Sequence, residues 1–213
     1  MPRPGVPDPY RTKAQAEGFV ARAVYKLKAM DAKYRLLQPN RRVLDLGCAP
    51  GSWLQYLASR VGPGGLVVGV DLNPPAIELT PPIHFVLGEV GGADLEAVTA
   101  LSASYDAVLS DMAPKTTGIR EVDQERSLNL ARAAWDWAKK LLKPGGHFLV
   151  KVFEGPGVED LFKELAGAFG SCRRVKPPGS RSASKEFYLL AMNRRPRQDG
   201  GKVQGVKNKG RKG

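Results

Sequence analysis

Short apolar runs alternate with helical segments along most of this chain, and that alternation decides what it can fold into. Val43–Leu46, Leu66–Leu72, Ile83–Leu87, Tyr105–Ser110 and His147–Phe153 have the length and composition of buried strands. Between them, residues 53–61, 94–101 and 124–142 have helical spacing, and 158–169 follows the fifth strand in the same way. The turns Gly62–Gly65 and Pro144–Gly146 close two of these helices. Strands separated by helices predict an α/β fold with a mainly parallel sheet covered on both faces. Two final strands, Cys172–Val175 and Phe187–Met192, are joined by about ten residues without helical pattern and are expected to pair as an antiparallel edge hairpin. The expectation is one seven-stranded sheet with an antiparallel last strand.

The ends of the chain differ from this body. Residues 1–12 are Pro-rich and are expected to be loose. From residue 13 to 37, Val20, Val24, Leu27, Met30 and Tyr34 fall on one arc at ~100° per residue. Arg22, Lys26 and Lys33 fall on a separate arc, so a single basic amphipathic helix is expected, ended by Pro39. Residues 194–213 have no apolar periodicity and are expected to be a disordered basic tail, leaving one domain over 13–193. The net charge of +12 divides as +5 over residues 1–40, −4 over 41–172 and +11 over 173–213. A mildly acidic body with basic ends points to a polyanionic partner, nucleic acid before an anionic membrane surface.

Several classes are disfavoured. No apolar run approaches the ~18 residues of a membrane span, and the first residues, MPRPGVPDPY, lack the apolar core of a secretory signal. Cys48 and Cys172 make neither a disulfide framework nor a zinc site, so a cytoplasmic protein with reduced thiols and no metal is expected. His84 and His147 begin apolar strands and are expected to be structural.

Ligands of open α/β sheets bind beyond the carboxyl ends of the strands. After the first strand comes Gly47-Cys-Ala-Pro-Gly51-Ser-Trp53, whose glycines permit a tight turn and a close backbone approach. Its spacing is not GxGxxG, which disfavours a nicotinamide oxidoreductase and favours a nucleoside ligand without a pyrophosphate. Asp71 ends the second strand, where a carboxylate can accept both ribose hydroxyls, and Glu89 follows the third. Together these are the parts of an S-adenosylmethionine site; the bland alternative is a generic nucleotide-type domain with ordinary turn glycines. Asp111 follows the fourth strand, Lys151 interrupts the apolar run of the fifth, and Glu186 opens the last. A lysine in a buried strand needs a partner, so a purely structural Lys151–Asp111 ion pair stands beside a catalytic reading. Lys115 lies in a loop after the fourth strand, and Arg181 and Lys185 precede Glu186; all are candidates for phosphate contact with a nucleic-acid partner, with a plain solvated surface loop as the alternative reading of each segment.

The chain resembles the FtsJ-type heat-shock ribosomal RNA 2′-O-methyltransferases. The resemblance rests on Ala23-Val-Tyr-Lys-Leu27, Asp45-Leu-Gly-Cys-Ala-Pro-Gly-Ser-Trp53, Val70-Asp-Leu72 and Ser110-Asp-Met-Ala-Pro114. It continues through Phe148-Leu-Val-Lys-Val-Phe153 and Lys176-Pro-x-x-Ser-Arg181-x-x-Ser-Lys-Glu186-x-Tyr188. It implies a Rossmann-like class I methyltransferase fold and a Lys-Asp-Lys-Glu tetrad at Lys26, Asp111, Lys151 and Glu186. It also implies a cofactor, S-adenosylmethionine, held by Gly51, Trp53, Asp71, Glu89 and Asp111. The family usually has Asp at position 89 and commonly Ala at position 48. The implied substrate is a uridine in the A-loop of 23S ribosomal RNA within the large subunit, acted on by a monomer. Related enzymes methylate tRNA, and a non-catalytic RNA-binding assembly factor is the other class to weigh.

The implied reaction moves a methyl group in line onto a ribose 2′-hydroxyl. Lys151 is the candidate base, which requires it to lose its proton; burial or a cation such as Lys26 would favour that, whereas Asp111 and Glu186 oppose it. An orienting, protonated Lys151 is the alternative.

Overall fold

The computed structural model describes residues 8–91, 95–178 and 185–196. Its elements, in chain order, are α1 (Pro9–Ala16), α2 (Val24–Tyr34), β1 (Arg42–Leu46), α3 (Ser52–Val61), β2 (Leu66–Asp71), β3 (Ile83–Leu87) and α4 (Leu95–Leu101). There follow β4 (Tyr105–Ser110), α5 (Arg120–Leu141), β5 (Leu142–Phe153), α6 (Val158–Ala168), β6 (Phe169–Val175) and β7 (Glu186–Arg194). The strands form one sheet in the order β3-β2-β1-β4-β5-β7-β6. Pairs from β3 through β5 are parallel, and β7 runs antiparallel to both β5 and β6. The order reverses at β1, whose neighbours β2 and β4 carry the chain to opposite sides, which opens a crevice above its carboxyl end.

Side chains alternate across a strand, so sequence parity assigns each to a face. Leu44, Leu46, Val68, Val70, Val108, Phe148 and Val150 pack with α5 and α6 through Ala131, Trp135, Leu161 and Leu165. Val43, Val67, Leu109 and Leu149 pack on the other face with Leu27 and Met30 of α2 and Leu54 and Leu57 of α3. Tyr188 and Leu190 of β7 join this second face. Asp45, Asp71, Asp111 and Lys151 share the parity of the second face, and Glu186 shares that of Tyr188. All five charges therefore lie on the side covered by α2 and α3.

Three expectations differ from the structure. The single helix over 13–37 is two helices: Gly18 takes φ +77°, and the chain bends before α2 starts at Val24. Val20, on the expected apolar arc, is 40% exposed. Residues 9–12 are not loose, because the Asp8 side chain caps α1 and Pro9 occupies its first turn. The two final strands pair antiparallel at the edge of the sheet, as expected, with β6 outermost. Phe187–Ala191 is apolar at every position, the pattern of a strand buried on both faces, and β7 accordingly lies between β5 and the edge strand β6.

The basic tail does not begin at 194. Arg194 is the last residue of β7, only 8% exposed, and its guanidinium donates to the carbonyls of Ala138, Lys139 and Leu142. Those are carbonyls at the end of α5, which a helix leaves without partners of its own. Residues 197–213 lie outside the described residues. Smaller differences are that α5 begins at Arg120 and that β5 begins at Leu142, with Pro144–Gly146 inside it and a register shift against β4.

Candidate active site

A cavity of about 570 Å³ lies over the carboxyl ends of β1, β2, β3 and β4, lined among others by Gly47, Asp71, Glu89, Asp111 and Lys115. The turn after β1 forms one wall. Gly47 has φ +78°, and a Cβ there would stand 2.4 Å from the Met112 side chain and 3.2 Å from its backbone. Any side chain at 47 would therefore force apart the two loops that flank the cavity. Gly51 caps α3 at φ +112°. The first-turn N–H groups of α3, including those of Ser52 and Trp53, have no partners within the helix and carry its positive end.

Asp71 closes β2. Its carboxylate accepts from the backbone N–H groups of Ala49 and Asn73, both at 2.9 Å, and keeps lone pairs for a further donor. That geometry suits the ribose edge of a nucleoside. Glu89 lines the same cavity. Trp53 stands apart: its indole is buried, donates to the Ala23 carbonyl at 3.0 Å and stacks on Tyr188 with centroids 6.2 Å apart. What position 53 can offer a ligand is its backbone N–H, and its side chain ties α2 to α3.

The tetrad residues form two ion pairs. Lys151 Nζ meets Asp111 Oδ1 at 2.9 Å and also donates to the Asp111 backbone carbonyl. Only 7% of its surface is exposed. Lys26 Nζ, from the first turn of α2, meets Glu186 Oε1 at 2.6 Å. Tyr188 joins the pairs. Its hydroxyl donates to Asp111 Oδ1 at 2.5 Å, and Lys26 Nζ lies 5.9 Å from its ring centroid. Tyr188 sits opposite Lys151 in the β5–β7 register, which fixes this contact. Burial first, then Asp111, raises its phenol well above the ordinary range and keeps the hydroxyl a donor.

Asp45 was not singled out by sequence reasoning. It lies on β1 at 0% exposure, and neither carboxyl oxygen has a hydrogen-bond partner. Burial, followed by the charges of Asp111 and Asp71, raises its carboxyl well above the usual range. Burial at this position thus disfavours the charged form of the group. The available signal was the one that exposed Lys151: an ionisable residue inside an apolar strand. Tyr188 left no comparable signal. Cys48 is buried, its thiol raised by burial and by Asp45 and Asp71, which is the environment of an inert residue.

The expected RNA contacts scatter around this centre. Arg22 pairs with Asp8 at 2.8 Å, and Lys33 lies over the Tyr34 ring. Lys115 lines the cavity itself. Its loop is tied down, because Asp123 accepts from Thr117 N, Thr117 Oγ1 and Gly118 N. Those bonds, the Thr117 backbone N–H foremost, hold Asp123 below the usual carboxylate range. Lys185 is exposed, and Arg181 lies outside the described residues. Among the described residues no group of three or more His, Cys, Asp or Glu is arranged to hold a metal ion, and no helix is long and apolar enough to cross a membrane.

A protein named ribosomal RNA large subunit methyltransferase E, from Coxiella burnetii, is 46% identical over 191 residues, covering 86% of this chain and 89% of the relative. The crystal structure of a ribosomal RNA methyltransferase, putative by its title, from Plasmodium falciparum superposes with a TM-score of 0.72 at 29% identity, covering 84% of this chain and all of that one. Human methyltransferase-like protein 13, solved in complex with SAH, shares the fold at a TM-score of 0.55 and 15% identity, over 83% of this chain and 84% of its own. With the FtsJ-like methyltransferase profile matching residues 19–194, the chain belongs to the FtsJ-like methyltransferase family.

Proposed function

We propose that this chain methylates a ribose 2′-hydroxyl of large-subunit ribosomal RNA, with S-adenosylmethionine as methyl donor and a uridine of the 23S A-loop as target. The RNA class is supported by the name of the Coxiella relative, and the 2′-hydroxyl by the resemblance to the FtsJ-type 2′-O-methyltransferases, with which the pair Lys151–Asp111 beside a nucleoside-sized cavity is compatible. S-adenosylmethionine, when bound, supplies an electrophilic methyl group carried on a positively charged sulfur.

The residues of this chain fit that donor. Asp71 would accept from ribose hydroxyls and Glu89 from the adenine amino group, and the backbone at Gly47, Gly51 and Trp53 would hold the amino-acid end; Asp111 lines the cavity and pairs with Lys151. Lys151 would hold the target hydroxyl in line with the methyl group, either as the base that takes its proton or as a cation that orients the oxygen while the proton is lost late. Asp111, through its carboxylate and its carbonyl, fixes Lys151 Nζ in place, and Tyr188 fixes Asp111. Lys26 and Glu186 stand on the RNA side, where Lys26 brings positive charge to the phosphates next to the target. Positioning of the two reactants accounts for much of the rate.

The test is Lys151→Ala. Turnover is expected to fall ~10²- to 10⁴-fold with unchanged cofactor affinity. Near-normal methylation by a variant that still binds cofactor would remove Lys151 from the reaction.

A further inference from the structure

Beside Lys26 lies a feature that the methyl-transfer site does not use. A notch of about 70 Å³ is lined by Tyr10, Arg22, Ala23, Tyr25 and Lys26. Tyr10 comes from α1, while Arg22 and Ala23 precede α2 and Tyr25 and Lys26 open it. The Tyr10 and Tyr25 ring centroids are 5.7 Å apart with planes inclined at 52°. Tyr25 is half-buried, with Lys13 Nζ 5.1 Å and Lys28 Nζ 5.4 Å from its ring centroid. Both lysines are steadied by Glu17, at 3.8 Å and 2.7 Å. Tyr10, by contrast, is braced rather than covered: Asp8 fixes its backbone N–H, Tyr25 supports the ring, and 38% of its surface remains in water.

An aromatic ring held rigidly in the open, with cations around it, is the arrangement on which unpaired nucleotides bind: the base stacks and the backbone phosphate meets positive charge. The notch cannot enclose a nucleoside, so it suits a phosphate, with the base stacked at its rim. Its floor includes Lys26, whose ammonium is bonded to Glu186, so the notch adjoins the catalytic pairs.

Resting on the RNA reading above, we infer that Tyr10 is a stacking platform for an unpaired nucleotide flanking the methylated one, whose phosphate sits in the notch between Arg22 and Lys26. Tyr25 is the brace that sets the angle of the platform. A target held in this way must be flipped or looped out of a helix, since a paired base has no face to offer.

The experiment uses the full chain and intact large ribosomal subunits, measuring both binding affinity and steady-state methylation. Tyr10→Leu keeps an apolar contact with Tyr25 and removes the aromatic face. Its affinity for subunits is expected to fall about tenfold and its KM for them to rise by a similar factor, with kcat within about twofold. Cofactor affinity and melting temperature should not change. Tyr10→Trp is expected to bind as tightly as the unaltered chain or more tightly. Because stacking releases no counterions, the salt slope of binding stays the same in both variants. Unchanged affinity in Tyr10→Leu, equal losses in the Leu and Trp variants, or a flattened salt slope would each overturn the platform. Absence of turnover by the unaltered chain would count against the methyl-transfer reading instead, and the binding comparison would still decide on Tyr10.

Discussion

The two ends of the central strands both carry buried or half-buried acids, and they treat them in opposite ways. At the amino ends, Asp106 accepts from the Arg42 N–H at 2.8 Å, from Arg41 at 3.0 Å and from Lys143 at 3.3 Å. The two cation side chains reach in from solvent, and nothing in the group lacks a partner. Burial alone would raise the Asp106 carboxyl, but these donors outweigh it and hold the group below the usual range. At the carboxyl ends, Asp45 has no hydrogen-bond partner among the described residues, and Lys151 is buried on Asp111. The first end is built for stability. The second holds a buried lysine and an acid without a hydrogen-bond donor, groups that cost stability, as is typical of sites that bind ligands.

Substitution of a lysine at each end gives the widest separation. Lys151→Ala should lose activity as stated above, whereas Lys143→Ala should keep turnover within about twofold and change stability by about 0.5 kcal/mol or less. Comparable losses of turnover from the two variants would erase the distinction. Arg194→Ala sharpens it from the structural side. Three carbonyls at the end of α5 lose their donor, so a cost of about 2–3 kcal/mol is expected in denaturant unfolding, with kcat per folded molecule unchanged.

The acids should respond to pH with opposite sign. Asp45 is raised, so between the unfolded and folded values the native state holds a proton that the unfolded chain releases, and stability falls as pH rises. Asp45→Asn should therefore gain stability over the unaltered chain at pH 8, with the gain shrinking as pH falls through the ordinary carboxylate range. Asp106 is lowered, so its contribution is present above that range and is lost as pH falls through its folded value. Asp106→Asn should cost about 1–2 kcal/mol at neutral pH and progressively less in acid. Melting temperatures across pH 4–8 decide, and slopes of the same sign in the two variants would contradict the comparison. The smallest effect is expected beyond both ends: removing 197–213 should leave melting temperature unchanged while weakening RNA binding and flattening its salt dependence. Truncation before Arg194 would also destabilise the fold.

Much of this was legible in the residues, for identifiable reasons. A charge inside an apolar strand is costly, so Lys151 stood out with Asp111 as its expected partner, and the structure pairs the two; Asp71 stood out as an acid at a strand end, and it lines the cavity. The same rule applied to Asp45 and went unused, because its place in Val43-Leu-Asp-Leu46 resembles ordinary alternation. The break between α1 and α2 was hidden because Val20 falls in phase with the apolar arc of α2; Gly18 was the only local sign. The insertion of β7 is a matter of topology, which periodicity does not encode, although its unbroken apolar run favoured an interior place. Arg194 read as tail because its role depends on carbonyls about 55 residues away in sequence.

The central claim is that the carboxyl-end site moves a methyl group onto ribose in large-subunit RNA. The most direct measurement supplies S-adenosylmethionine labelled in its methyl group to the purified chain with intact large subunits, free ribosomal RNA and tRNA in parallel, and then maps the modified nucleotide. The account predicts label on a single ribose 2′-oxygen of 23S RNA in the intact subunit, absent with Lys151→Ala. Label on a base or on tRNA, or undiminished labelling by that variant, would contradict it.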